Sequence, residues 1–128
     1  MLTWVEVFAV DARLREGIRL FNAGRYFESH ESLEDFYHRA DDIHKPFLEG
    51  LIQIAAALRL ARDFGEVKGP ARLARQGLIR LENYQPAYLG IKVTGLIQTM
   101  AAWADGAESK KNAALKAPKI SLLRFGLF

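Results

Sequence analysis

Gly24 separates two stretches in which apolar residues recur every three to four positions, and that pattern admits few folds. Before it, Leu14, Ile18 and Phe21 fall on one stripe of a helix that Asp11 can cap and that runs to Asn22. After it, Phe27, Leu33, Phe36 and Tyr37 supply the core side of a second helix, from about Arg25 or Tyr26 to His38. Glycine adopts the left-handed backbone that stops a helix, because it has no Cβ to clash. Across so short a connection, the two helices fold back as an antiparallel hairpin.

The helical period continues beyond the hairpin. Residues 40–44 read as a loop, and Pro46 suits the first turn of a third helix that runs to about Phe64 and stops at Gly65. Its middle, Gly50 to Leu58, is apolar almost all round, which predicts the central buried helix. Its alanines allow neighbours to come close. Gly69 and Pro70 open a fourth helix, roughly 70–83, with Leu73, Gly77, Leu78 and Leu81 inward. Residues 84–90, with Pro86, read as a loop. A fifth helix over roughly 92–105 uses Val93, Leu96, Ile97, Met100 and Trp103. Strand character is confined to Val5–Val10 and the end of the tail. The expected fold is all-α: a compact bundle of about five helices beginning with a helical hairpin. It occupies a single domain, 1–108, followed by a basic and apolar C-terminal tail, 109–128.

A chain of 128 residues, half of them hydrophobic, can bury one core and is not of disordered composition. It has no cysteine, which excludes disulfides and thiolate metal sites and fits a reducing cytoplasm, the expected location. Met1 to Val10 lacks a basic start and is interrupted by Glu6, so it does not read as a secretory signal. The longest apolar run, around 50–61, is too short to span a bilayer, and no membrane partner is expected. Residues 1–50 hold 6 Lys/Arg against 10 Asp/Glu, whereas residues 51–128 hold 12 against 5. The basic residues are spread over several elements, without a basic helix or an aromatic RNA-binding motif. They read as a solvated face, and nucleic acid is not an expected partner.

Ionisable chemistry concentrates on the second helix. His30 and Glu34 lie four residues apart and share a face; Glu31 and Asp35 make a second such pair. On the third helix Glu49 and Gln53 also share a face. If the two helices are neighbours, His30, Glu34, Glu49 and Gln53 can meet in a partly buried cluster. Carboxylate with imidazole can bind a divalent metal, with His30 and Glu34 as ligands, or poise His30 as a general base. His30, Glu31 and Glu34 are thus the catalytic candidates. Tyr26, Glu49, Gln53 and Arg59 are the candidates for touching a ligand. The pattern falls short of known metal motifs: Glu34 stands where a zincin helix has its second histidine, and Phe27 where a di-iron helix has glutamate. The leading expectation is therefore a hydrogen-bonded structural cluster with no cofactor. Arg59, on the apolar third helix, either reaches solvent or pairs with a carboxylate of the cluster.

Two motifs carry a family resemblance. Phe21-Asn-x-Gly24-x-Tyr26-Phe-Glu28-x-His30-Glu31-x-Leu33-Glu34-x-x-Tyr37, followed by Phe47-Leu-Glu-Gly50-Leu-Ile-Gln53-Ile-Ala-Ala-Ala57, resembles the family called domain of unknown function 309. Gly65-x-x-x-Gly69-x-Ala71 and Gly90-Ile91 continue the likeness, which covers about residues 11–105. The resemblance implies an all-helical single domain and no established activity. This chain departs from the family pattern at Tyr37, where tryptophan is common, at Glu49, where glutamine is common, and at Arg59, where histidine often occurs. Leu20-x-x-x-Gly24-x-Tyr26 also resembles the rhythm of a tetratricopeptide helix pair, which implies a protein-binding groove.

The function expected from these readings is a helical binding or assembly module with a structural His-Glu cluster. The alternative is a metal-dependent, hydrolase-like enzyme centred on His30-Glu31-x-x-Glu34. The tail places Ile120, Leu122, Leu123, Phe125, Leu127 and Phe128 within ten positions. So much apolar surface needs cover, and a neighbouring subunit in a homo-oligomer is the expected partner.

Overall fold

The computed structural model describes residues 10–109 and 116–123. Over them the chain is all-α, with one two-stranded hairpin. Helix α1 (Ala12–Asn22) starts where the Asp11 carboxylate accepts the Arg13 backbone N–H at 2.8 Å. That bond satisfies a donor left unpaired in the first helical turn. The helix ends in two reversed bonds: Gly24 N–H donates to the Phe21 carbonyl at 3.0 Å, and Arg25 N–H to the Leu20 carbonyl at 2.9 Å. Gly24 has φ 77°, the left-handed residue that this ending requires. The Arg62 guanidinium donates to the Gly24 carbonyl and pins the turn to the end of the third helix.

Helix α2 (Tyr26–Arg39) returns along α1. A Cβ at Gly17 would lie 2.7 Å from Leu33 Cδ2, so the two helices touch there. The fully buried Ser29 hydroxyl donates to the Gly17 carbonyl at 2.7 Å. Phe27 does not join the core as expected; it is 45% exposed. Tyr26 takes the inward position instead and packs edge-on to Phe21, with ring centroids 5.4 Å apart. Successive residues of a helix are turned by about 100°, so the two aromatics cannot both face inward.

A 3₁₀ turn (Asp42–His44) leads into helix α3 (Lys45–Phe64), with Pro46 in its first turn and Gly65 at φ 69° closing it. Phe47, Leu48, Leu51, Ile54, Ala55 and Ala57 are fully buried, which makes α3 the central helix. Helix α4 (Lys68–Leu81) crosses α3 at two glycines. A Cβ on Gly50 would sit 3.1 Å from the Gly77 carbonyl oxygen, and a Cβ on Gly77 would sit 2.9 Å from that of Gly50. Backbone meets backbone here, and no larger residue fits at either position without a shift.

After α4, a 3₁₀ turn (Glu82–Tyr84) precedes the segment 84–90, which reads in sequence as a loop. It contains instead strand β1 (Ala87–Tyr88), paired antiparallel with β2 (Ile91–Lys92). Leu89 at φ 49° and Gly90 at φ 81° form the turn. Two left-handed residues in succession match the twist of a tight hairpin. Helix α5 (Val93–Glu108) follows and packs on α4, extending past the expected end at 105 by burying Ala107.

The helices stack in chain order, each mainly on the next. The tail ties the ends of that stack together. Ile120 is buried, and both ends of the Asn22 amide hold its backbone: Nδ2 donates to the Ile120 carbonyl at 2.9 Å, and Oδ1 accepts its N–H at 2.8 Å. Lys92 N–H donates to the Ser121 carbonyl at 2.9 Å, and Leu123 N–H to the Gly90 carbonyl at 2.8 Å. The sequence leads to a neighbouring subunit as partner of the tail. Over residues 116–123 its partner is the end of the chain's own α1 and its hairpin. Strand character there reduces to a bridge between Leu122 and Ile91. Residues 5–9 of the other suggested strand, and Phe125, Leu127 and Phe128, lie outside the described residues. No helix among the described residues is long and apolar enough to cross a membrane.

Two substitutions test this account by urea unfolding. Gly24→Ala forces a Cβ into the left-handed region and to within 2.5 Å of Arg62 Nη1; it should cost at least about 1–2 kcal/mol. Ile120→Ala removes a core side chain from the strap and should cost about 2–5 kcal/mol. A tail that only lies on the surface would instead give a near-neutral Ile120→Ala.

Candidate functional site

The glycine crossing sets the polar chemistry beside it. Glu49 and Gln53 flank Gly50 on α3, and Arg80 lies three residues past Gly77 on α4. Arg80 Nη1 is 2.9 Å from Glu49 Oε2, and its Nε donates to Gln53 Oε1 at 3.0 Å. The Tyr37 hydroxyl of α2 donates to Glu49 Oε1 at 2.9 Å. One carboxylate thus joins three helices. Lys45 Nζ lies 5.3 Å over the Tyr37 ring and 3.3 Å from Asp42. The hydrogen bond to Glu49, with some desolvation and the negative charges of Glu49 and Asp42, holds the Tyr37 phenol above its usual 10, against the opposing charge of Arg80. Both partners of the Arg80–Glu49 pair remain more than a third exposed, so the network is a surface fastening and not a buried ion pair.

The second group is His30 with Glu34. His30 Nδ1 lies 3.6 Å from Glu34 Oε2, which is ion-pair distance but too long for a hydrogen bond. The His30 side chain is 30% exposed and so mostly buried, as the sequence leads one to expect, but the contact with Glu34 is longer than the hydrogen bond expected there. The buried polar group of this helix is Ser29, one position away. Glu31 and Glu34 are exposed. The expected meeting of His30 and Glu34 with Glu49 and Gln53 does not form as an ion-pair cluster. Glu34 is the carboxylate within ion-pair distance of His30 among the described residues, while Glu49 and Gln53 are held by Tyr37 and Arg80. Among the described residues, no three of His, Asp and Glu are grouped to hold a metal ion.

Arg59 forms a third group. Its guanidinium carbon lies 4.5 Å over the Phe27 ring and 5.9 Å from the Phe64 ring. Asp63 Oδ2 is 3.4 Å from Arg59 Nε, but off the N–H direction, so this buried nitrogen has no hydrogen-bond partner. Arg59 thus pairs with its own helix and stacks on exposed aromatics, rather than joining the Glu49 cluster. Tyr26, a ligand candidate from sequence, is buried beside Phe21 with Arg62 5.9 Å over its ring. Burial pushes its phenol up, partly opposed by Arg62.

Arg59 is among the candidates that sequence alone supplies, but Arg80 and the aromatic partners Phe27 and Phe64 are not. The signal for Arg80 lies in the two glycines, the smallest residues on two neighbouring helices. Once Gly50 and Gly77 face each other, Arg80 must fall beside Glu49 or Gln53. The Tyr37–Glu49 bond has a spectroscopic consequence. A phenol raised in the fold contributes stability in full below the unfolded value near 10 and loses it only as pH rises through the folded value. In an NMR titration, Tyr37 should therefore ionise above 10, and Glu49→Gln should bring it down toward 10. An unchanged Tyr37 titration in Glu49→Gln would break this assignment.

Residues 14–73 match the family described as Domain of unknown function (DUF309), the family that the two motifs resemble. None of the curated proteins compared matches the chain.

Proposed function

For a chain whose residues 14–73 carry the DUF309 domain, we propose a non-enzymatic helical binding and assembly module that acts in the cytoplasm and self-associates. The observation that carries the reading is the Phe27–Arg59–Phe64 stack. Phe27 is 45% and Phe64 62% exposed, with an arginine between them whose buried Nε is unsatisfied. Aromatic residues and arginine are the types that dominate the energy of protein interfaces. A partner surface covering this stack would remove two phenyl faces from water and could offer an acceptor to the guanidinium.

The polar clusters support the same reading. Glu49, Gln53, Tyr37 and Arg80 satisfy one another across three helices. His30 and Glu34 form a pair on a single helix. These arrangements serve as fastenings for the scaffold that presents the stack. In the competing hydrolase reading, His30, Glu31 and Glu34 would hold a divalent metal.

Sedimentation of the full-length protein should reveal an oligomer at micromolar concentration. The double variant Phe27→Ser/Phe64→Ser, and separately Arg59→Glu, should weaken association at least about tenfold. All three positions are surface-exposed or half-buried, so both variants should retain the parent's helical circular dichroism. A parent that is monomeric, or variants that associate as the parent does, would overturn self-association through this stack. Protein purified without a histidine tag should carry no stoichiometric metal; a bound equivalent lost in His30→Ala would instead favour the hydrolase reading.

A further inference from the structure

A cavity of about 380 Å³ opens between α5 and the tail segment that crosses it. Its volume falls in the roughly 300–1,000 Å³ range of small-molecule sites. Leu96, Trp103 and Pro118 line it with apolar surface, and Lys92, Lys116 and Lys119 are its cations. Among the described residues, no carboxylate lines it. The Thr99 hydroxyl on the lining is already turned to the Gly95 and Leu96 carbonyls at 3.2 and 3.1 Å, so it adds little polarity. Lys119 gives one N–H to the Asn22 carbonyl at 2.5 Å and keeps two others. Among the described residues, neither Lys92 nor Lys116 has a carboxylate within ion-pair distance. None of these residues belongs to the stack on α2 and α3.

We infer that this cavity is a binding site for a small anionic amphiphile, in the class of a medium-chain monocarboxylate. The acyl chain lies against Leu96, Trp103 and Pro118, and the carboxylate meets the lysines. Apolar walls alone would take any oily molecule. Three lysines on the lining, with no acid beside them among the described residues, select a negative head. The strap explains why the site exists. Asn22 and the hairpin hold residues 120–123 down, and the preceding turn of chain passes over α5 without filling the space beside Trp103. Gly95 lines the same cavity, and a Cβ built there meets nothing within 4 Å. A larger residue at 95 therefore has room to grow into the site without disturbing the fold, and α5 gains from losing a glycine.

The test titrates the full-length protein with octanoate and with 1-octanol, followed by the NMR signals of the Trp103 indole N–H and the Ser121 amide. Octanoate should give saturable shifts at both. 1-Octanol should bind at least about tenfold more weakly, and Lys92→Gln/Lys116→Gln should weaken octanoate by a similar factor. Gly95→Leu should fold and abolish the octanoate shifts. Equal binding of alcohol and carboxylate, or lysine variants that bind like the parent, would overturn the anionic specificity. No saturable shift at millimolar octanoate, or undiminished binding in a folded Gly95→Leu, would overturn the site itself.

Discussion

The contact between the backbones of α3 and α4 at Gly50 and Gly77 fixes much of what surrounds it. Each glycine's missing side chain is replaced by the carbonyl of the other helix, so the two backbones meet directly. Neighbouring side chains then seal the crossing from both sides: Leu81 lies over Gly50, and Ile54 over Gly77. At such separation the helices cannot slide or roll without driving a carbonyl into a Cα. Close packing makes that crossing nearly discrete. The register it sets places Arg80 between Glu49 and Gln53, and through Glu49 it reaches Tyr37 on α2. Weak surface interactions can hold a reproducible geometry here because the glycines, not the charges, determine where the groups stand.

A stack in which each helix packs chiefly on the next has two exposed ends and few links between distant parts of the chain. The tail supplies the missing link. Asn22 closes α1 and holds Ile120, while the same stretch of tail pairs with the hairpin that precedes α5. The end of the first described helix and the hairpin before the last one are thus joined by hydrogen bonds to a segment that belongs to neither. A side-chain amide is well suited to this task, because it presents a donor and an acceptor to one residue's carbonyl and N–H.

Features governed by local chemistry were legible in the sequence. Gly24 and Gly65 end helices through left-handed backbone, Asp11 caps, and Pro46 starts; each acts within a few residues of itself. Features that depend on rotation or on distant partners were not. Tyr26 and Phe27 are adjacent aromatics, and the more polar of them turns inward because it packs against Phe21. The same rotation puts Ser29 inside and leaves His30 partly in water. The turn at Leu89 and Gly90 has no strong sequence signal, because it lacks the asparagine or aspartate that usually marks a two-residue hairpin. The Arg80 network required a crossing point, and the partner of Ile120 lies ninety-eight residues away at Asn22.

Position 59 shows how a site can change character without a change of fold. The resemblance to DUF309 implies that histidine often occurs there. Histidine can be neutral and ligate a metal; arginine stays charged and has no lone pair to give. What arginine gains is a flat cation that stacks on aromatic faces. Phe27 and Phe64 supply those faces, one from the start of α2 and the other from the end of α3. By that resemblance, arginine takes away a metal donor and puts a stacking cation in its place. Among the described residues, Glu34 is the carboxylate within ion-pair distance of His30, and such a pair four residues apart steadies a helix.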